Sequence, residues 1–221
     1  MIMLAFKTLR TTLLASAIGL ISFQGFASEV DSAAVAASLT ELQQRWAEIN
    51  YTLPPGEQAA AFSRLGDQAE QLVKRYPDAA ELHIWAGIIR STEAGASGGL
   101  GALGLVKQAK KELETALELN PLALDGSAYT SLGALYYQVP GWPLGFGDEQ
   151  KAEWHLQRAL AINPEGIDSL YFWGDYLHEQ GRDAEARQAL ENALVAPPRA
   201  GRELADNGRR DDIRQLMSEL E

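Results

Sequence analysis

The sequence predicts an all-α solenoid of about four helical hairpins ended by a C-terminal capping helix. Three observations carry this. One spacing, Ala then Leu four residues on, Ala three further and Pro five beyond, recurs as Ala109-Leu113-Ala116-Pro121, Ala152-Leu156-Ala159-Pro164 and Ala186-Leu190-Ala193-Pro198. Upstream of each copy lies a second apolar segment holding a glycine, as Ala86-Gly87, Leu132-Gly133 and Trp173-Gly174. No run alternates strictly between apolar and polar residues, so no strand is expected.

The spacing has a physical meaning. Positions i, i+4 and i+7 share one face of a helix. Alanine at two of them lets a neighbouring helix approach, and the leucine between fills the groove. Glycine on the preceding helix admits that approach from the other side. Proline then ends the helix, because it cannot donate to the ladder and restrains the residue before it. Each copy is a helix–turn–helix unit with one apolar face, which must stack on its neighbours to be buried.

In chain order, Lys7 and Arg10 precede an uncharged, mostly apolar stretch from Thr11 to Phe23, and Gly25-Phe26-Ala27 offers small residues at a cleavage site. Residues 1–27 therefore read as a signal peptide cut after Ala27, with a periplasmic destination and no membrane span left after cleavage. Residues 28–76 read as an N-terminal helical pair, a degenerate repeat. Val35, Leu39, Leu42, Trp46 and Ile49 form its first apolar stripe, Pro54-Pro55-Gly56 makes the break, and a second helix follows from Glu57 to Tyr76. Residues 77–198 hold the three repeats. Asn207-Gly208 reads as a helix stop inside the cap of residues 199–221, and Asp211 to Glu221 as the last helix.

These motifs resemble the tetratricopeptide repeat, with small residues at the packing point of the first helix, the Ala-x3-bulky-x2-Ala run on the second and the terminal proline. The Pro164 to Pro198 interval, 34 residues, equals that family's period. The resemblance implies a right-handed superhelix whose first helices line a concave groove. Export, size and the glycine-rich irregular repeats are also similar to the periplasmic proteins of this superfamily that accompany tripartite solute transporters. That similarity implies a solute-binding protein as partner in the cell envelope.

Two copies depart from the regular pattern. The distance from the packing glycine to the first alanine of the second helix is 12 residues in the last copy, but 22 in the first and 19 in the second. Residues 93–104 and 139–148 are therefore expected to be inserted loops, side by side on one edge.

Charge and composition exclude some function classes. The net charge is −11; without residues 1–27, which hold two basic and no acidic side chains, it is −13. Such a chain disfavours nucleic acid and anionic membranes. There is no cysteine, hence no disulfide, thiolate nucleophile or Cys-ligated metal. Gly95-Ala96-Ser97-Gly98-Gly99 fits a nucleophile-elbow pattern and Gly99-Leu100-Gly101-Ala102-Leu103-Gly104 a dinucleotide fingerprint. Both motifs work only after a strand, and here a helix precedes. His83, His155 and His178 lie on three different helices without ligand partners at metal spacing: His83 is expected in the core, His155 on a second-helix surface and His178 at the groove. No catalytic residue, cofactor or metal is expected, and a binding protein is.

Candidate binding residues come from the two insertions and the groove. Trp142, Leu144 and Phe146 alternate with Pro143 and Gly145 in one insertion, and Leu100 and Leu103 lie in the other. Ile84, Tyr137, Tyr171, Asp175 and His178 fall by register on the concave face, and the last four are the binding candidates there. A protein partner is the first reading of this set, and a small apolar ligand held at the inserted loops is the alternative. Arg199, Arg202, Arg209, Arg210 and Arg214 form the one basic cluster, expected to pair with acids within the cap.

Overall fold

The computed structural model describes residues 21–220, with side chains from residue 31 onward apart from that of Leu100. The expected signal peptide lies outside them, except for residues 21–27. Every regular element among the described residues is helical: α1 (Ile21–Thr52), α2 (Pro55–Arg75), α3 (Ala80–Ser97), α4 (Gly99–Leu119), a 3₁₀ turn (Ala123–Gly126), α5 (Ser127–Gln138), α6 (Glu149–Ile162), α7 (Ile167–Glu179), α8 (Asp183–Leu194) and α9 (Glu203–Glu219). The chain from Val35 onward forms one unit, and residues 21–34 are helical at the start of α1. None of the described helices is long and apolar enough to cross a membrane.

The repeat spacing is visible in three dimensions. Helices α3 and α4, α5 and α6, and α7 and α8 pack as antiparallel hairpins. All nine alanine and leucine positions of the motif on the second helices are fully buried. Leu113, Leu156 and Leu190 each sit over the glycine of the paired helix. A Cβ on Gly87, Gly133 or Gly174 would lie 2.6, 2.6 or 2.8 Å from the nearest atom of that leucine. Burying each leucine contributes about 1.5–3 kcal/mol relative to exposure, and the missing Cβ is what permits the contact.

The N-terminal pair completes the stack. Leu42, Trp46 and Ile49 of α1 and Phe62 and Leu65 of α2 join the main core. Trp46 meets Trp85 of α3 edge to face, with ring centres 5.9 Å apart, and its indole N–H donates to Thr92 at 3.0 Å.

Two sequence expectations need correction. Residues 93–104 are not a loop. α3 runs on to Ser97 and α4 begins at Gly99, so the extra residues lengthen both helices around a tight turn with Gly98 and Gly99 at positive φ. Glycine disfavours helix by about 1 kcal/mol per residue, but burial of Ala94 and Val106 offsets that penalty, and Glu93, also buried, is paired with Arg90 at 2.8 Å. Asn207-Gly208 is not a helix stop either, for it lies inside α9. Gly208 is there because α9 passes Tyr51 of α1 so closely that a Cβ would lie 2.3 Å from the ring. The Tyr51 hydroxyl donates to Asp212 at 3.1 Å, so the last helix reaches back to the first hairpin.

Candidate functional site

Two places could receive another molecule: an exposed turn at one edge and a cavity on the inner side. The turn is the second insertion, residues 139–148. It folds onto itself through bonds from the N–H groups of Leu144 and Gly145 to the Gly141 carbonyl, from Gly147 to Pro140 and from Asp148 to Tyr136. Gly145 and Gly147 are required here, since a Cβ would lie 2.4 and 1.9 Å from the carbonyl oxygens of Pro140 and Val139. Asp148 then caps α6 by accepting from the Lys151 N–H at 3.0 Å. The three apolar residues of the turn divide. Phe146 packs down on Tyr136, edge to face at 5.8 Å, while Trp142 is 90% exposed and Leu144 67%.

The sequence placed His155 on a surface, and the structure corrects that. Its ring stacks on Tyr136 at 5.3 Å and meets Trp154, and Nδ1 is buried with no partner. Burial pushes its pKa down to about 4. His83 is in the core as expected, bonded to Glu112 at 2.7 Å and to the Pro77 carbonyl. The Glu112 bond raises its pKa.

The four candidates taken from the concave face are bound up in contacts within the chain. The Tyr137 hydroxyl donates to Asp175 of the next repeat, and burial with that carboxylate raises the phenol pKa well above its ordinary value. His178 pairs with Asp183 at 2.8 Å, which raises its pKa. Tyr171 lies under the Arg209 guanidinium at 4.3 Å, and burial pushes its pKa up to about 12. The Tyr137–Asp175 bond joins one repeat to the next and the Tyr171–Arg209 contact joins repeat to cap, while the His178–Asp183 pair lies within one hairpin and leaves His178 partly exposed. Of the first-insertion candidates, Leu103 lines the cavity and Leu100 has its side chain outside the described residues.

The cavity has a volume of about 1100 Å³. Helices α1, α2, α3, α4, α5 and α7 line it, together with the segment leading into α9 and Arg209 of α9 itself. Trp85, Ile88, Leu103, Val106 and Phe172 give it apolar surface. Thr130 and Ser169, both buried, meet on its wall with oxygens 3.2 Å apart. At its rim Leu124 and Asp125 adopt the left-handed conformation, at φ 48° and 54°. Such residues cost of order 1–3 kcal/mol each and persist only where the surroundings hold them.

Arginines of the cap enter this space, a feature the sequence did not place. Asp168 of α7 accepts from Arg199 at 2.7 Å and from Arg209 at 2.8 Å. Burial opposes its charge, but the two guanidiniums, Arg209 foremost, hold its carboxyl well below the usual carboxylate range. Arg199 also binds Asp206, and Arg209 binds Asp212. The pairing is thus with α7 as well as within the cap. Arg202 differs: its guanidinium lies 5.1 Å over the Trp85 ring, and its Nε is buried with no partner. Burial, then the like charge of Arg199, lowers its pKa. Arg-to-Asp pairing across 31 and 41 residues has no periodic signature, so only the basic cluster itself was legible in the sequence.

Among the described residues no group of three His, Asp or Glu side chains is placed to hold a metal ion. The glycine fingerprint at residues 99–104 lies in the first turns of α4, preceded by a helix, so neither motif has the strand its chemistry needs.

No protein-family model matches the chain, and comparison with the curated proteins gives no match. Solved structures do match. A thermophilic TPR protein from Thermus thermophilus is 20% identical with a TM-score of 0.53, the match covering 87% of this chain and 97% of that one. MamA is 20% identical with a TM-score of 0.44, covering 76% and 93%. The first likeness, together with the three in-register glycine–leucine contacts, shows that the chain has the fold of a tetratricopeptide-type helical solenoid.

Proposed function

We propose that the chain is a non-enzymatic periplasmic scaffold that binds a protein partner of the cell envelope through the turn at residues 141–144. One observation carries the reading: Trp142 and Leu144 stand in solvent on a turn whose backbone is fixed by its own hydrogen bonds. An exposed tryptophan on a fixed backbone has the character of an interface anchor, because binding would bury a large side chain without having to order the turn that carries it. The solenoid behind it supplies a stiff platform. Export is supported by Lys7, Arg10 and the apolar stretch that follows, and the resemblance to transporter-associated periplasmic proteins favours a solute-binding protein as partner.

The test changes Trp142 and Leu144 together to Ser and leaves Phe146, which is packed, in place. Capture of the partner from an envelope extract should be lost, while the melt stays within about 0.5 kcal/mol of the parent, as for other exposed positions. Capture retained at the parent level would remove the turn from the interface. Intact-mass measurement of the protein from its native host should give a chain beginning at Ser28.

A further inference from the structure

The inner cavity supports a separate inference, independent of whether Trp142 engages a partner. We propose that it binds a small amphipathic carboxylate, with the anion on Arg202 and the apolar body along Trp85, Ile88, Leu103, Val106 and Phe172.

Three arginines reach the cavity, and two of them are satisfied. Arg199 and Arg209 share Asp168 and hold Asp206 and Asp212 in addition. Arg202 has no hydrogen bond from its guanidinium and no ion pair among the described residues, and its Nε is shut off from solvent. A guanidinium stays charged in proteins, and a partly buried one gains from a carboxylate in direct contact. Asp168, Asp206 and Asp212 balance the three arginines in charge, but Arg199 and Arg209 engage all three carboxylates, which leaves Arg202 as the one guanidinium of the cluster without a direct anion. The other acids on the cavity wall do not supply it: Asp168 is spanned by two arginines, while Asp125 and Glu165 are exposed to solvent.

The same geometry selects the ligand class. Arg202 already lies on the Trp85 face, so an anion reaching it places its neighbouring carbons against the aromatic and aliphatic wall. The terminal nitrogens of the guanidinium, which unlike Nε are not shut off, offer a pair of donors that suits a planar carboxylate. The volume, about 1100 Å³, is slightly above that of most pockets that enclose drug-sized ligands, so a medium-length chain fits. A bare inorganic anion would leave the apolar wall unused, and an uncharged lipid would leave Arg202 unpaired.

Calorimetry on the full chain with decanoate, decanol and acetate tests this, with tryptophan emission followed in parallel because Trp46 and Trp85 line the cavity. Decanoate should bind at least tenfold more tightly than either decanol, which lacks the charge, or acetate, which lacks the body, and should change the emission. In Arg202→Gln the decanoate affinity should fall at least tenfold, decanol binding should be unaltered and the melting temperature should hold or rise. Arg202→Lys should recover part of the affinity. Trp142→Ser should leave decanoate binding as it was, which separates this site from the partner surface. Decanoate binding no tighter than decanol would overturn the proposal on the unmodified chain, whatever the folding of the variants. Undiminished decanoate binding by a folded Arg202→Gln chain would overturn it as well.

Discussion

The two insertions are alike in sequence, each a glycine-rich stretch carrying large apolar residues at the same point of the repeat, yet they fold differently. Residues 93–104 become helix on both sides of a two-glycine turn, while residues 139–148 remain a turn closed on its own carbonyls. The difference lies in what the glycines face. In the first insertion Gly95, Gly101 and Gly104 look onto open space, so nothing but intrinsic propensity opposes the helix. In the second, Gly145 and Gly147 are pressed against neighbouring carbonyls, and Pro140 and Pro143 deny the helix its donors. Glycine number alone does not distinguish a loop from a weak helix; the contacts made by each glycine do.

Substitutions should make the contrast measurable. The largest effect is expected at Gly147→Ala, where the added Cβ meets the Val139 carbonyl oxygen and the turn must open. A loss of about 3 kcal/mol in a denaturant melt is expected, at the upper end of overpacking costs; an unchanged midpoint would show that the turn tolerates a different path. Next comes the histidine beneath that turn. With a folded pKa of about 4, below its ordinary value, His155 takes up a proton less readily folded than unfolded. Its contribution is therefore complete above about pH 6.5 and is lost as pH falls toward 4, by on the order of 2 kcal/mol once the unscreened value is discounted for the partly exposed ring. Thermal melts between those limits should flatten in His155→Gln, and a parent-like slope there would assign the acid lability elsewhere. The smallest effect has the opposite sign. Gly101→Ala in the first insertion meets nothing and should stabilise by about 0.5–1 kcal/mol. A destabilised Gly101→Ala would mean that the lengthened α4 is held under strain.

The repeat core is readable because its signal is local. Ala186, Leu190 and Ala193 announce a buried helix face by spacing alone, and Gly174 announces the partner. What the sequence conceals depends on residues brought together from far apart. Register assigns Ile84 to an open groove, yet it is fully buried in the main core. Register assigns Tyr171 to the same groove, where Arg209 of the cap covers it. Gly208 resembles a stop because its reason for being glycine is the Tyr51 ring, more than 150 positions earlier in the chain. Helical periodicity predicts which face of a helix is inward, but not which distant segment lies upon it.

The meeting of α9 with α1 has a consequence for how this molecule can evolve and unfold. Open repeat arrays tolerate gain or loss of a unit and fray inward from their ends. Here the Tyr51–Asp212 bond and the Gly208 contact tie the two termini of the array together. Removing or duplicating a single hairpin would shift one partner away from the other, so the number of units is fixed by geometry. With its first hairpin and last helix clasped in this way, the array should melt in one step where an open array of the same length would melt in several.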